Sequence, residues 1–77
     1  MVTISITEEV AYRVAAMITR QGMKKNYIAK AVGIPPTTFK RKIDGFTDFT
    51  VSEIDRIARV LGIAPAELLP QSMRTAA

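Results

Sequence analysis

The sequence predicts an all-α fold, a compact bundle of about five short helices. Three observations predict it. Apolar residues recur at helical spacing in successive stretches, each too short to be more than a few turns. Glycines and prolines fall between those stretches, at 22, 33, 35–36, 45, 62, 65 and 70. Helix-start signals stand in front of the first and fourth stretch. At 77 residues the chain has room for one domain with one modest core.

The elements follow in order. Val2 to Ile6, VTISI, alternates apolar and polar residues and has no second strand to pair with. It reads as a short extended arm. Thr7 is a good N-cap, with Glu8 and Glu9 in the first turn where the helix dipole favours acids. Val10, Val14, Met17 and Ile18 form one apolar stripe, and Gly22 ends this first helix. A second helix runs from about Lys24 to Val32, with Ile28, Ala29 and Val32 inward and Gly33 as its end. Ile34 and Pro35 each precede a proline, which pushes both out of the helical region. Pro36 then suits the first position of a third helix, expected to run to about Asp44 with Gly45 beyond it. Phe39 and Ile43 lie about 40° apart on that helix and define its buried side. Thr37, Lys40, Arg41 and Asp44 take the opposite side, and Lys42 a flank where its alkyl stem can cover apolar surface. Thr50 with Glu53 is a capping box for a fourth helix. Its stripe is Val51, Ile54, Ile57, Ala58 and Leu61, stopped by Gly62. Pro65 to Leu69 make a short fifth helix ended by Pro70, and residues 71–77 read as a flexible tail.

The charge pattern narrows the function. Net charge is +4. Arg20, Lys24, Lys25, Lys30, Lys40, Arg41 and Lys42 supply seven of the eleven cations, with no acid among them. Such a block suits an anionic partner, or is simply a solvated face. With no His and no Cys, an enzyme would have to rely on scattered carboxylates, Lys or Tyr, and no glycine-rich phosphate loop or convergent pair is present. No catalytic residue, metal site, cofactor or small-molecule ligand is expected. No apolar run approaches the ~20 residues of a membrane span, and the start lacks the pattern of a signal peptide. A cytoplasmic protein is expected.

A basic pair of short helices joined by a tight turn has physical requirements that this sequence meets. The helices cross closely, so the bracing helix needs a small residue, and Ala29 fits. The turn needs a glycine cap four residues later, and Gly33 fits. Apolar anchors must hold the second helix, and Val32, Ile34 and Phe39 fit. At these residues MKKNYIAKAVGIPPTTFKRKIDG resembles the helix-turn-helix of the Cro and lambda-repressor-like (XRE-type) family of phage and bacterial regulators. The later FTVSEIDRIARVLGIAPAELL resembles the fourth and fifth helices of that family. The match covers roughly Glu8 to Leu69, with the helix-turn-helix unit at about 24–44 in a single domain of residues 1–70.

The resemblance implies a sequence-specific double-stranded DNA-binding transcriptional regulator, with a repressor expected, that inserts helix 36–44 in the major groove. Base contacts are then expected from Pro36, Thr37, Lys40 and Arg41. Arg41 can pair bidentately with guanine O6 and N7. Backbone contacts are expected from Lys24, Lys25, Asn26, Thr38, Lys42, Gly45 and Thr47. The sequence departs from the pattern at Lys42, where an apolar residue is common, and at Lys24, which replaces a hydroxyl cap. The rival is a protein-interaction module on the same fold, such as an antitoxin or a regulator acting on a protein partner. A homodimer is expected, formed mainly on DNA, through Ala66 to Met73 or through the VTISI arm.

Overall fold

The computed structural model describes residues 5–70. Four α-helices and one 3-10 turn make up the fold, with no strand among the described residues. They are α1 (Ile6–Arg20), α2 (Lys25–Val32), α3 (Pro36–Ile43), α4 (Val51–Leu61) and a 3-10 turn at Pro65–Leu68. The expected fifth helix is thus a single 3-10 turn, because Pro65 opens it and Pro70 follows too soon for α-helical bonds to accumulate. The flexible tail expected at 71–77 lies outside the described residues, as do Met1 to Ile4 of the expected arm. The last residue of that arm, Ile6, is helical.

Helix starts and stops follow local chemistry. Ser5, not Thr7, caps α1: its hydroxyl accepts from the Glu8 N–H while the Glu8 carboxylate accepts from the Ser5 N–H. Thr7 instead ties α1 to the loop before α4 by donating its hydroxyl to Asp48. The expected Thr50–Glu53 capping box is formed at α4. At the far ends, the N–H at positions 23, 34, 46 and 63 reaches back to the carbonyl five residues earlier, at 2.9–3.1 Å. Gly33 and Gly45 make two of these reversals with φ of 76° and 85°. A side chain at Gly45 would also meet Glu8 Cγ at 3.4 Å, so α1 closes over the end of α3.

The core lies where α1, α2, α4 and the 3-10 turn converge. Val10, Val14, Ile18, Ile28, Ala29, Val32, Ile34, Phe39, Phe49, Ile54, Ile57, Ala58, Leu61 and Leu68 are buried in one cluster. Phe39 meets Phe49 edge to face, ring centres 5.8 Å apart. Met17 is only half-buried at the edge of this cluster. Val51, placed by sequence on the inner stripe of α4, is 85% exposed at the first helical position. Leu68 is fully buried, so of the 3-10 pair only Leu69 is left partly accessible.

Two side-chain-to-backbone contacts also join elements far apart in sequence. The Gln21 amide donates to the Leu61 carbonyl at 2.8 Å, closing the end of α4 with the end of α1. Arg56 donates to the Val32 carbonyl at 2.9 Å and satisfies the end of α2. The acceptor is a backbone atom 24 residues away, a partner that no local pattern in the sequence marks.

Candidate nucleic-acid interface

The site is α3 and the start of α2. Pro36 opens α3 at a position whose N–H would have no helical partner in any case. Phe39 is 1% exposed and fixes the helix to the core. The second anchor is Lys42, only 7% exposed. Its ammonium donates to Glu53 on α4 at 2.6 Å and lies over the Phe49 ring at 5.9 Å. The expectation that Lys42 touches a DNA backbone is therefore corrected: its charge is spent inside the protein. Ile43, expected to be the second anchor, is half-buried. The buried side of α3 is centred between Phe39 and Lys42, a rotation of about 50° from the Phe39–Ile43 centre expected.

The cause is electrostatic. Burial would raise the Glu53 carboxyl, but the Lys42 hydrogen bond, the Thr50 N–H and the Lys42 charge outweigh it and hold it below its ordinary value. A satisfied ion pair then takes the place an apolar side chain would fill.

The same rotation turns Pro36, Thr37, Thr38, Lys40 and Arg41 outward, and all five are exposed. Lys40 pairs with Asp44 at 2.9 Å on the surface. The Arg41 guanidinium lies 5.7 Å from the centre of the Phe46 ring. Lys25, Asn26, Pro36 and Lys40 come together around one cleft of about 240 Å³, floored by Phe39. Gly45 and Lys25 share a neighbouring hollow with Glu8 and Tyr12. Lys24 and Thr47 are exposed but belong to neither hollow. Tyr27 and Phe46 are exposed aromatics, at 59% and 71%.

Two features favour an anion here. Among the described residues Arg20, Lys24, Lys25, Lys30 and Arg41 make no salt bridge. And α2 and α3 have no side-chain cap, whereas α1 and α4 carry full capping boxes. The first intrahelical bond of α2 is made by the Ile28 N–H. The N–H groups of Lys25, Asn26 and Tyr27 are therefore free for a phosphate, with the positive end of the dipole behind them.

A short bracing helix, a left-handed glycine turn and a second helix with a basic outward face define a helix-turn-helix DNA-binding protein. The chain belongs to the Cro/C1-type HTH DNA-binding domains, whose sequence profile matches residues 13–70. It is a DNA-binding regulator, of a family and fold that are not those of enzymes. The restriction-modification controller protein C.AhdI from Aeromonas hydrophila superposes with a TM-score of 0.76 at 21% identity, covering 82% of this chain and 96% of that one. A hypothetical transcription factor, NHTF from Neisseria, gives 0.77 at 21%, over 95% of this chain and 86% of the other. The clp gene regulator ClgR from C. glutamicum gives 0.82 at 15% identity over 97% of both. At such identities these likenesses show the fold. Comparison with curated proteins finds no matching sequence. No helix among the described residues is long and apolar enough to cross a membrane.

Proposed function

We propose that this chain is a sequence-specific repressor that lays α3 in the major groove of double-stranded DNA, as one DNA-binding unit over residues 1–70. One observation carries the reading. Thr37, Lys40 and Arg41 are exposed on the side of α3 opposite Phe39 and Lys42, next to cations that make no salt bridge among the described residues. Arg41 pairs with guanine, Lys40 with a base or phosphate, and Thr37 with a thymine methyl or phosphate. Pro36 contributes only apolar contact, because it has no N–H. Lys24, Lys25, Asn26, Thr38, Gly45 and Thr47 hold the DNA backbone around this helix. A protein seated in this way excludes polymerase from the same site. It acts in the cytoplasm, at the nucleoid of a bacterial cell or phage-infected host.

One short recognition helix spans only a few base pairs, too few to single out one site in a genome. Two copies on a twofold site double the readout, with half-sites about 34 Å apart. Light scattering of the complex with a selected site tests this. Two copies are expected, and a single copy at saturation on a non-palindromic site contradicts it.

Positioning contacts separate from reading contacts by their salt dependence. Lys25→Ala is expected to weaken binding to every duplex about equally and to lower the salt slope by about one unit. Asp44→Asn acts in the other direction. It removes the acid beside Lys40, and binding to random duplex should tighten by about two- to fivefold at low salt. Fluorescence anisotropy over a salt series measures both.

A further inference from the structure

We infer that Phe46 is a specificity-determining positioning residue: it holds the Arg41 guanidinium in the plane from which it meets a guanine. The inference rests on the reading of Arg41 as a base contact and adds the residue that makes that contact selective.

All four helices end in the same way. The residue after each terminal glycine, namely Met23, Ile34, Phe46 or Ile63, donates its N–H to the carbonyl five residues earlier. Such an ending brings this residue's side chain onto the last turn, normally in an apolar contact. Met23, Ile34 and Ile63 obey this and pack on the core. Phe46 does not. It is 71% exposed, and the group it meets is the Arg41 guanidinium, 5.7 Å from its ring centre. The backbone bond from Phe46 N–H to the Arg41 carbonyl, 3.0 Å, joins the same two residues. Gly45 at φ 85° is what permits this approach.

An exposed Phe at a helix end has an apolar cost and no core to enter. Its effect is on the arginine. Free Arg side chains lose much rotamer freedom on binding, and a guanidinium already held over an aromatic face loses less. A guanidinium held over one ring face keeps N–H groups turned away from the ring, and guanine O6 and N7 can accept from those. Lys40 is restrained separately, by Asp44 at 2.9 Å. The two cations of the reading face are thus each held by a residue just beyond it.

The test uses the whole chain, a duplex selected from a random pool, the same duplex with the guanine read by Arg41 replaced, and a random duplex. Phe46→Ala should weaken binding to the selected duplex by about two- to fivefold, and leave the random duplex and the salt slope unchanged. Phe46→Trp, which keeps a stacking face, should restore both affinity and discrimination. In an Arg41→Ala background, Phe46→Ala should have no further effect. The thermal midpoint should hold, since the ring is exposed. If Arg41→Ala loses discrimination and Phe46→Ala does not, the inference fails and the reading of α3 stands. Equal losses from Phe46→Ala with and without Arg41 would likewise overturn it, by making Phe46 an independent contact. If Arg41→Ala shows no selective loss, the reading of α3 falls and the inference falls with it.

Discussion

Glu53→Ala is expected to cost about 3–5 kcal/mol of folding stability, the largest effect of any single substitution considered for this chain. The Lys42 ammonium donates to Glu53 at 2.6 Å, and the two side chains are 8% and 13% exposed. Removing the carboxylate leaves the ammonium desolvated without a counter-charge. It also removes the acceptor for the Thr50 N–H, at 2.8 Å, so α4 loses half its capping box. In a domain of this size the thermal midpoint should fall by on the order of 15 °C or more. The pair itself is not required for stability. Lys42→Met with Glu53→Gln keeps the Thr50 acceptor and an unbranched stem of similar size, and should bring stability back to within about 1 kcal/mol of the parent. A loss below about 1 kcal/mol in Glu53→Ala would show a pair that is solvated rather than buried. The pH dependence has a definite sign. The folded-state pKa of Glu53 lies below its ordinary value near 4.5, so its contribution is fully present above that value. It is lost as pH falls below about 4.5 toward the folded-state value, and urea melts between pH 7 and pH 3 should show it. The Glu53→Gln protein should lack that component.

Arg41→Ala is expected to cost about 1–3 kcal/mol on the preferred duplex and much less on random duplex. Arg41 has no salt bridge among the described residues and sits on the exposed face of α3, and its one contact there is with the exposed Phe46 ring, so the core does not depend on its charge. Its thermal midpoint should match the parent. Arg41→Lys is informative beside it. A lysine keeps the charge but not the planar fork, so random-duplex binding should return while discrimination at the guanine does not. Equal losses of Arg41→Ala on both kinds of duplex would move Arg41 from base reading to backbone contact.

Much of this protein is legible in its sequence because its signals are local. The Thr50–Glu53 box, the helix-ending glycines and the stripe of α4 from Ile54 to Leu61 depend on residues within one or two turns. The outward placement of Thr37, Lys40 and Arg41 follows from Phe39 alone. The start of α1 was equally local, since Ser5 and Glu8 repeat the spacing of Thr50 and Glu53, and Thr7 draws attention only by standing next to two acids. The misplaced residues are those whose partners are distant. Lys42 is buried because Glu53, eleven residues on, neutralises it, and a cation in a basic run gives no periodic sign of that. The one available sign was that an apolar residue is common at its position in the family it resembles. Arg56 is engaged by a carbonyl on another helix. Val51 has apolar spacing but sits in the first turn of α4, where no neighbour covers it.

Selection of bound sites from a random double-stranded DNA pool, run in parallel with the parent protein and Arg41→Ala, tests the central claim most directly. The parent should enrich a twofold-symmetric motif with half-sites one helical turn apart and a guanine in each half that is lost from the Arg41→Ala motif. A folded parent that enriches nothing over the input pool, or the same motif enriched by both proteins, would contradict α3 as the element that reads the sequence.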